Sequence, residues 1–189
     1  MKKRGKFVKK TEKVYEYTLR EGNISLVLDS YGDLFSGFDP RAYSERSLST
    51  DFLTECKRAS IDKPEEGLEL RLLIPKQKRS LEHEAKIRRR LKEHFDHHFK
   101  EKENEIKEVK KEGIIWFIAG IILMLISVTF LHSSGPSFLE KLMFIIFEPA
   151  GWFFVWEGLS KEFIKSKENK PEYIFYRKMK NAKISFFSY

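Results

Sequence analysis

The chain has 189 residues and a formal net charge of +8. This length suits one modest domain with a membrane segment and excludes two large domains. The single cysteine, Cys56, excludes an intramolecular disulfide and a multi-cysteine metal cluster. A basic chain can bind nucleic acid, but this one carries no zinc-finger, helix-turn-helix or aromatic–basic recognition pattern, so we do not expect a nucleic-acid partner.

Charge and hydropathy divide the chain into blocks. Residues 1–112 hold 27 Lys and Arg against 22 Asp and Glu, and residues 160–189 hold 8 against 3. Residues 113–159, by contrast, contain one Lys and three Glu and are otherwise almost purely apolar. Such a pattern indicates that the charged blocks lie in water and the apolar block lies in the lipid bilayer. It predicts a basic N-terminal segment (1–13), a small α/β cytosolic domain (14–79), a charged amphipathic helix continuing into the membrane (80–112), a transmembrane hairpin (113–159) and a basic cytosolic tail (160–189).

A β-hairpin is predicted near the N-terminus. Residues 14–19 alternate polar and apolar side chains, residues 20–23 have the composition of a turn, and residues 24–28 resume the alternation. The domain then continues with a helix at about 50–59, capped by Ser47 or Ser49, and with a strand at Leu68–Ile74.

The loop before this helix carries three charged residues of interest, Asp39, Glu45 and Arg46. Glu45 and Arg46 adjoin the start of the predicted helix, where an acidic side chain favours the helix dipole and an arginine can bridge to a neighbouring element. One interpretation is a structural latch between loop, helix and sheet. The other is a binding site for a ligand or a protein partner, and the sequence leaves both open.

Ser80 begins a long predicted helix that has no break before Gly113 and continues into the first apolar span. Its apolar residues recur at helical spacing from Leu81 to Val109, among many Lys, Arg and Glu. A charged helix of this length needs a partner along its apolar stripe, in the same chain or in a neighbouring copy. We therefore predict a homo-oligomer.

Three histidines of this helix, His94, His97 and His98, share one face at positions i, i+3 and i+4. Imidazoles at this spacing can share a zinc or nickel ion. The pattern differs from the helical metalloprotease motif, in which a Glu directly follows the first His. A solvated polar face accounts for the same residues, so we predict no metal and no other cofactor. A metal-dependent enzyme is kept only as a third hypothesis.

Two apolar stretches predict a transmembrane helical hairpin. Residues 114–131 carry no charge and, at 1.5 Å per residue, reach about 27 Å, which is enough for the hydrocarbon core. Gly135 and Pro136 interrupt the helix in a loop without Lys or Arg, and residues 138–159 form the second stretch. Because Lys and Arg flank only the outer ends, the pattern predicts a multi-pass protein of the cell (inner) membrane with both termini in the cytoplasm.

Glu148 lies in the middle of the second span, directly before Pro149. A carboxyl at this depth costs free energy and points to an ion path or a helix contact. Alternatively, a protonated Glu148 bonds a backbone carbonyl freed by Pro149, or lines the interface of an oligomer. Ala150 and Gly151 beside it would let another helix approach closely.

Two segments resemble a known group of proteins. Phe38–Asp51 resembles a "dP-x-x-x-x-ER-x-L" segment of a widespread group of uncharacterised prokaryotic membrane proteins. Gly151–Glu157 is similar to the "GW-x-x-x-W" end of that group's second span, although Glu157 stands where the group carries a basic residue. The resemblance implies a small N-terminal cytosolic domain before a two-helix hairpin, and it implies no activity.

The sequence thus predicts an α+β cytosolic domain (β-hairpin, helix, strand, long helix) fused to a two-helix transmembrane hairpin. The basic tail is predicted to return an edge strand, 183–187, to the sheet of this domain. The favoured function is a non-enzymatic, membrane-anchored binding or regulatory module whose partners are the lipid bilayer, further copies of the chain and an unknown cytosolic protein or small ligand. The alternative is an oligomeric membrane effector or channel subunit gated by its cytosolic domain.

Overall fold

The computed structural model describes residues 23–131, 135, 137–168 and 170–189. These residues fall into two compact units. The first contains the chain up to Phe99 together with Ile174–Tyr189, and the second contains Lys100–Tyr173. Strands and long helices occur together, so the predicted α+β class is confirmed.

A parallel three-stranded sheet organises the first unit. Asn23 pairs with Glu69, and Glu69 pairs with Lys183 on its other side. Parallel neighbours need a crossover of a dozen or more residues. The first crossover contains helix α1, and the second contains the entire second unit. In the order of the sheet, the strands are β1 (Asn23–Val27), β2 (Glu69–Ile74) and β3 (Lys183–Ser188), and α1 is Thr50–Ser60.

The predicted β-hairpin can be compared with this sheet only in part. Its second strand corresponds to β1, which pairs with β2. Its first strand, residues 14–19, lies outside the described residues, so the hairpin stays a prediction. The predicted C-terminal strand, 183–187, lies within β3.

One face of the sheet meets the helices in a single hydrophobic core. Alternate residues of the strands supply one side, because successive side chains of a strand point to opposite faces. Leu81, predicted as the start of the apolar stripe on the long helix, is 80% exposed, and this part of the prediction is wrong. The first residue of the stripe in the core is Ile87. Core residues include Leu70, Leu72, Ile74, Ile184 and Phe186 of the strands, Phe52 and Cys56 of α1, Ile87, Leu91 and Phe95 of the long helix, and Phe175 and Met179 near the C-terminus.

Side chains close the ends of α1. Ser49 accepts a hydrogen bond from the backbone N–H of Phe52 at 3.5 Å, which satisfies one of the free donors at the helix start. At the other end, the Lys178 ammonium donates to the carbonyls of Ser60 (2.8 Å) and Lys63 (2.7 Å). A cation in this position also complements the negative end of the helix dipole.

The second unit is helical. Helix α2 begins at Leu81, after Ser80 as predicted, and continues from the first unit into the second. Of the described residues, only α2 forms a helix that is long and apolar enough to cross a membrane. A π-helical turn, Lys161–Lys165, and a short turn, Ser166–Glu168, follow α3. The helices are α2 (Leu81–Leu131), α3 (Phe138–Ser160) and α4 (Lys170–Asn181).

Candidate functional site

The loop between β1 and α1 is tied together by Asp39. Its carboxylate accepts from the Arg41 guanidinium at 2.8 and 2.9 Å and from the backbone N–H groups of Ser47 (2.7 Å) and Arg41 (3.1 Å). The bonds from Arg41 and Ser47 hold the pKa of Asp39 well below its usual range. Asp39 therefore stays ionised and joins the two ends of the loop.

Arg46 anchors the same loop to its surroundings. Its guanidinium donates twice to the carbonyl of Ser36, at 2.8 and 3.1 Å, and lies 5.9 Å from the centre of the Phe35 ring. The backbone carbonyl of Arg46 accepts from the Arg90 side chain at 3.1 Å, which links the loop to α2. Glu45, in contrast, is exposed. The side chains of Asp39 and Arg46 thus hold the loop together internally, and the Arg46 backbone links it to α2, whereas Glu45 lies at the surface. The choice between a structural latch and a binding site stays a prediction.

An open pocket of about 260 Å³ lies beside this loop. The ring of Tyr43 stacks on Phe35 at 5.2 Å, and the ring of His83 meets the edge of Tyr43 at 5.3 Å. Tyr31 contacts both Tyr43 and His83, so the base of this region is aromatic. The wall is basic, since it contains two Arg, one Lys and one His but no carboxylate. The lining residues are Arg41, Ala42, Tyr43, Arg46, His83 and Lys86.

Beneath the pocket lies a buried ionic group that sequence reasoning missed. Glu84 is 3% exposed and accepts two bonds from Arg79, at 2.8 and 2.9 Å, and one from the Tyr31 hydroxyl at 3.1 Å. Burial alone would raise the pKa of Glu84, but the bonds from Arg79 and Tyr31 hold it below its usual value. The spacing of Glu84 to the core residues Ile87 and Leu91 was the available signal, because it places an acidic residue on an apolar helix face.

The three histidines of α2 do not come together as a metal site. Among the described residues, no group of three or more His, Cys, Asp or Glu side chains is placed to hold a metal ion. His94 and His98 lie 4.3 Å apart between ring centres, and His98 stacks on Tyr176 of α4 at 5.3 Å. His97 is exposed. The His97 ring meets the edge of His98 at 5.4 Å, so the three rings are neighbours but do not converge on one point.

His94 sits in an unusual environment. Its Nε2 atom is buried without a hydrogen-bond partner among the described residues. Burial, together with the charges of His98 and Arg90, lowers the pKa of His94 to about 4. The imidazole is therefore neutral at physiological pH and acts as a packed ring.

In the second unit, glycines bring α3 against the apolar half of α2. A Cβ atom added at Gly120 would lie 2.6 Å from the backbone nitrogen of Val155 and 2.8 Å from the carbonyl oxygen of Gly151. One added at Gly158 would lie 2.7 Å from the carbonyl oxygen of Gly113. Only glycine allows backbones to approach this closely, as in the small-residue interfaces of membrane helices. We refer to Gly113, Gly120, Gly151 and Gly158 as the glycine seam.

The glycine seam has a seven-residue period on both helices, which run in opposite directions along it. Ser127 continues the same spacing on α2 and is 2% exposed, with its hydroxyl donating to the Met124 carbonyl at 2.8 Å. Ion pairs lie at one end of the seam, where Lys161 meets Glu112 at 2.6 Å and Lys110 meets Glu162 at 3.3 Å. The paired helices thus change from charged to apolar contacts along their length.

Glu148 lies beside the glycine seam. It precedes Gly151 of the seam by three residues. Glu148 is half-buried and makes no hydrogen bond or ion pair with the residues that the structure describes. Gly151 packs against Met124 of the same chain. The close approach of a helix that was predicted at Gly151 therefore occurs within one chain and does not require a second copy. The ion path and the oligomer interface both stay predictions.

Comparisons with protein-family models, with curated proteins and with solved structures each return no match. The resemblance of Phe38–Asp51 and Gly151–Glu157 to a group of two-span membrane proteins therefore stays a prediction.

Proposed function

We propose that the protein is a membrane-anchored binding module without enzymatic activity. In this proposal, the apolar part of α2 and the whole of α3 form a transmembrane hairpin. The first unit, with its basic pocket, then stands at the cytoplasmic face of the inner membrane together with both chain termini.

The distribution of side chains in the second unit carries this proposal. Large apolar side chains point outwards, among them Ile114 (56% exposed), Leu125 (65%) and Trp156 (69%). The residues of the glycine seam, which carry only a hydrogen atom in place of a side chain, lie between the helices. A soluble helix pair has the opposite arrangement, because water favours burial of large apolar groups. Lipid removes that preference and leaves close backbone packing as the main source of helix association.

Charge supports the orientation. Lys110, Lys111, Lys161 and Lys165 adjoin the outer ends of the two proposed spans, and the segment 132–137 between the spans has neither Lys nor Arg. Short loops rich in Lys and Arg stay in the cytoplasm. Both termini are therefore proposed to be cytoplasmic.

Reporter fusions test the proposal. Fusions at Met1 and Tyr189 should be active with a reporter that works only in the cytoplasm, whereas a fusion inserted between Ser133 and Ser137 should be active only with a reporter that works outside. Both reporters are tested at each fusion point, so that the inactive reporter at a given point is the control for the active one. A cytoplasmic signal from the 133–137 insertion, or extraction of the chain from membranes by alkaline carbonate, would contradict the hairpin.

Glu148 favours a second candidate, an oligomeric membrane effector or channel subunit. A carboxyl on the flank of an apolar helix pair is costly in lipid, and packing of another copy over it would remove that cost. This candidate predicts a homo-oligomer by light scattering in mild detergent and an ion flux across liposomes that Glu148→Gln alters. A monomeric protein that conducts no ions would exclude the channel candidate and leave the membrane-anchored binding module as the remaining proposal.

A further inference from the structure

We propose that the basic pocket beside Arg46 binds a phosphate monoester. The inference rests on the proposed function, since it names the ligand class of the binding module. It starts from the observation that loop 36–47 and the first turns of α2 place cationic side chains around one aromatic base.

The charges of the pocket wall are only partly neutralised. Asp39 compensates Arg41, and Glu82 compensates Lys86 through an exposed ion pair of 2.6 Å. Arg46 bonds only to a neutral carbonyl, that of Ser36, and so keeps its full charge. The wall therefore attracts an anion, and its strongest uncompensated charge is a guanidinium, whose planar donors match phosphate.

Donors remain available for such a ligand. A guanidinium carries five N–H groups. Arg41 and Arg46 each use their Nε and one terminal nitrogen within the loop, which leaves the second terminal nitrogen of each for other partners. Lys86 uses one of its three N–H groups on Glu82. The Arg and Lys side chains can thus donate to a ligand without breaking the bonds that hold the loop.

The base of the pocket is held in place before any ligand arrives. Stacking of Tyr43 on Phe35 and the edge contact of His83 with Tyr43 order the rings. The two hydrogen bonds from Arg46 to the Ser36 carbonyl order the guanidinium. Preorganised donors lose less conformational entropy on binding. The volume of about 260 Å³ is below the ~300–1,000 Å³ of clefts for drug-sized ligands, which fits a phosphate with a short organic part.

Cys56 is a native reporter of ligand binding, because the rate at which a thiol reagent labels it can be measured. Its thiol is fully buried in the same core as Tyr31 and Phe35, and burial raises its pKa, so a thiol reagent reaches it only when the core opens. A ligand that binds only the closed form slows this labelling by the factor 1 + [L]/Kd. The full chain in an uncharged detergent is titrated with glycerol 3-phosphate, with chloride as the control at equal ionic strength.

Labelling of the wild type should slow with glycerol 3-phosphate and not with chloride. Lys86→Gln should weaken the apparent affinity at least about tenfold, the effect of losing one charge-assisted contact. Lys92→Gln is the matched control, because it removes the same charge from an exposed residue of α2 outside the pocket. Unchanged labelling with glycerol 3-phosphate would exclude a soluble phosphate monoester as the ligand, and an equal loss of affinity in Lys92→Gln would overturn the proposal.

The phosphate monoester can be a soluble metabolite or a lipid head group, and a second experiment distinguishes these two sources. The chain is reconstituted in phosphatidylcholine vesicles with or without phosphatidic acid. Slower labelling with phosphatidic acid, lost in Lys86→Gln, assigns the lipid as the source, and an effect of glycerol 3-phosphate alone assigns the metabolite. Failure of both experiments rejects phosphate binding. Anchoring is tested separately by the topology reporters, which involve no phosphate.

Discussion

Arg46 and Glu45 are neighbours in the chain but differ in what they contact. Arg46 is partly buried, bonds the Ser36 carbonyl twice and lies over Phe35, while Glu45 is exposed. Removing a bonded side chain leaves its partner unsatisfied, and this penalty exceeds the net value of the bond itself. At the scale of single residues, the latch interpretation therefore predicts a loss of stability on removal of the Arg46 side chain and none on removal of the Glu45 side chain.

We expect Arg46→Ala to lower the free energy of unfolding by about 1–3 kcal/mol, because the Ser36 carbonyl loses both bonds from the guanidinium and keeps only the longer one, 3.3 Å, from the Asp39 N–H. Glu45→Ala, an exposed change at the adjacent position, should stay within about 0.5 kcal/mol. Urea denaturation of the full chain, followed by near-ultraviolet circular dichroism, measures both. Equal effects of the two substitutions would contradict the distinction.

His94 makes the stability of the first unit depend on pH. Its pKa is about 4 in the folded chain, mainly through burial, and about 6.5 when it is unfolded. Between these values the unfolded chain binds more protons. The contribution of His94 is thus fully present above pH 6.5 and is lost as the pH falls through 4.

We expect His94→Gln to reduce the loss of stability between pH 6.5 and pH 4. His97→Gln is the control, since His97 is exposed, lies on the same helix and makes the smallest of the contributions that lower the pKa of His94. Urea denaturation at a series of pH values measures the slope for each variant. The interpretation would be wrong if both variants kept the slope of the wild type.

At the scale of elements, the pairing of α2 with α3 depends on the absence of side chains. Positions one heptad apart on each helix carry glycine, and each faces backbone of the other helix. Large side chains from both helices also meet, as in the edge contact of Trp116 with Phe154 at 4.8 Å. A single added side chain in the seam would have to push two backbones apart.

Gly120→Leu should therefore destabilise the helix pair by about 1–3 kcal/mol or more, the range for overpacking a well-packed interior. Ile121→Leu places the same residue at the next, outward-facing position and should be nearly neutral. Thermal unfolding of both variants in detergent, followed by far-ultraviolet circular dichroism, gives the comparison. A Tm of Gly120→Leu equal to that of Ile121→Leu would show that the seam does not hold the helices.

At the scale of the whole molecule, the first unit is assembled from two distant parts of the chain. The central strand β2 lies between β1, from the N-terminal part, and β3, from the last seven residues. Ile184 and Phe186 of β3 belong to the core. The N-terminal and C-terminal parts of the chain must therefore meet for this sheet to form.

Deletion of residues 183–189 should expose the core, because β2 loses its hydrogen-bonded neighbour and two apolar side chains. Cys56 should then react with a thiol reagent at nearly the rate of the denatured chain. Replacement of the exposed Lys183 by Gln in the full-length chain is the control and should leave Cys56 protected. A protected Cys56 in the deletion variant would show that β3 is dispensable.

Local patterns in the sequence determined the elements of this protein. Helical spacing, the candidate caps Ser47 and Ser49, and Ser80 predicted α1 and the start of α2, because caps and apolar periodicity act over a few residues. The structure selects Ser49 as the cap of α1. The tertiary structure alone decided the parallel strand order, the ionic group at Glu84 and the basic pocket, since each joins residues far apart in the chain. It also decided the glycine seam: the glycines are visible in the sequence, but their role appears only when α3 lies against α2 and the two seven-residue spacings come into register.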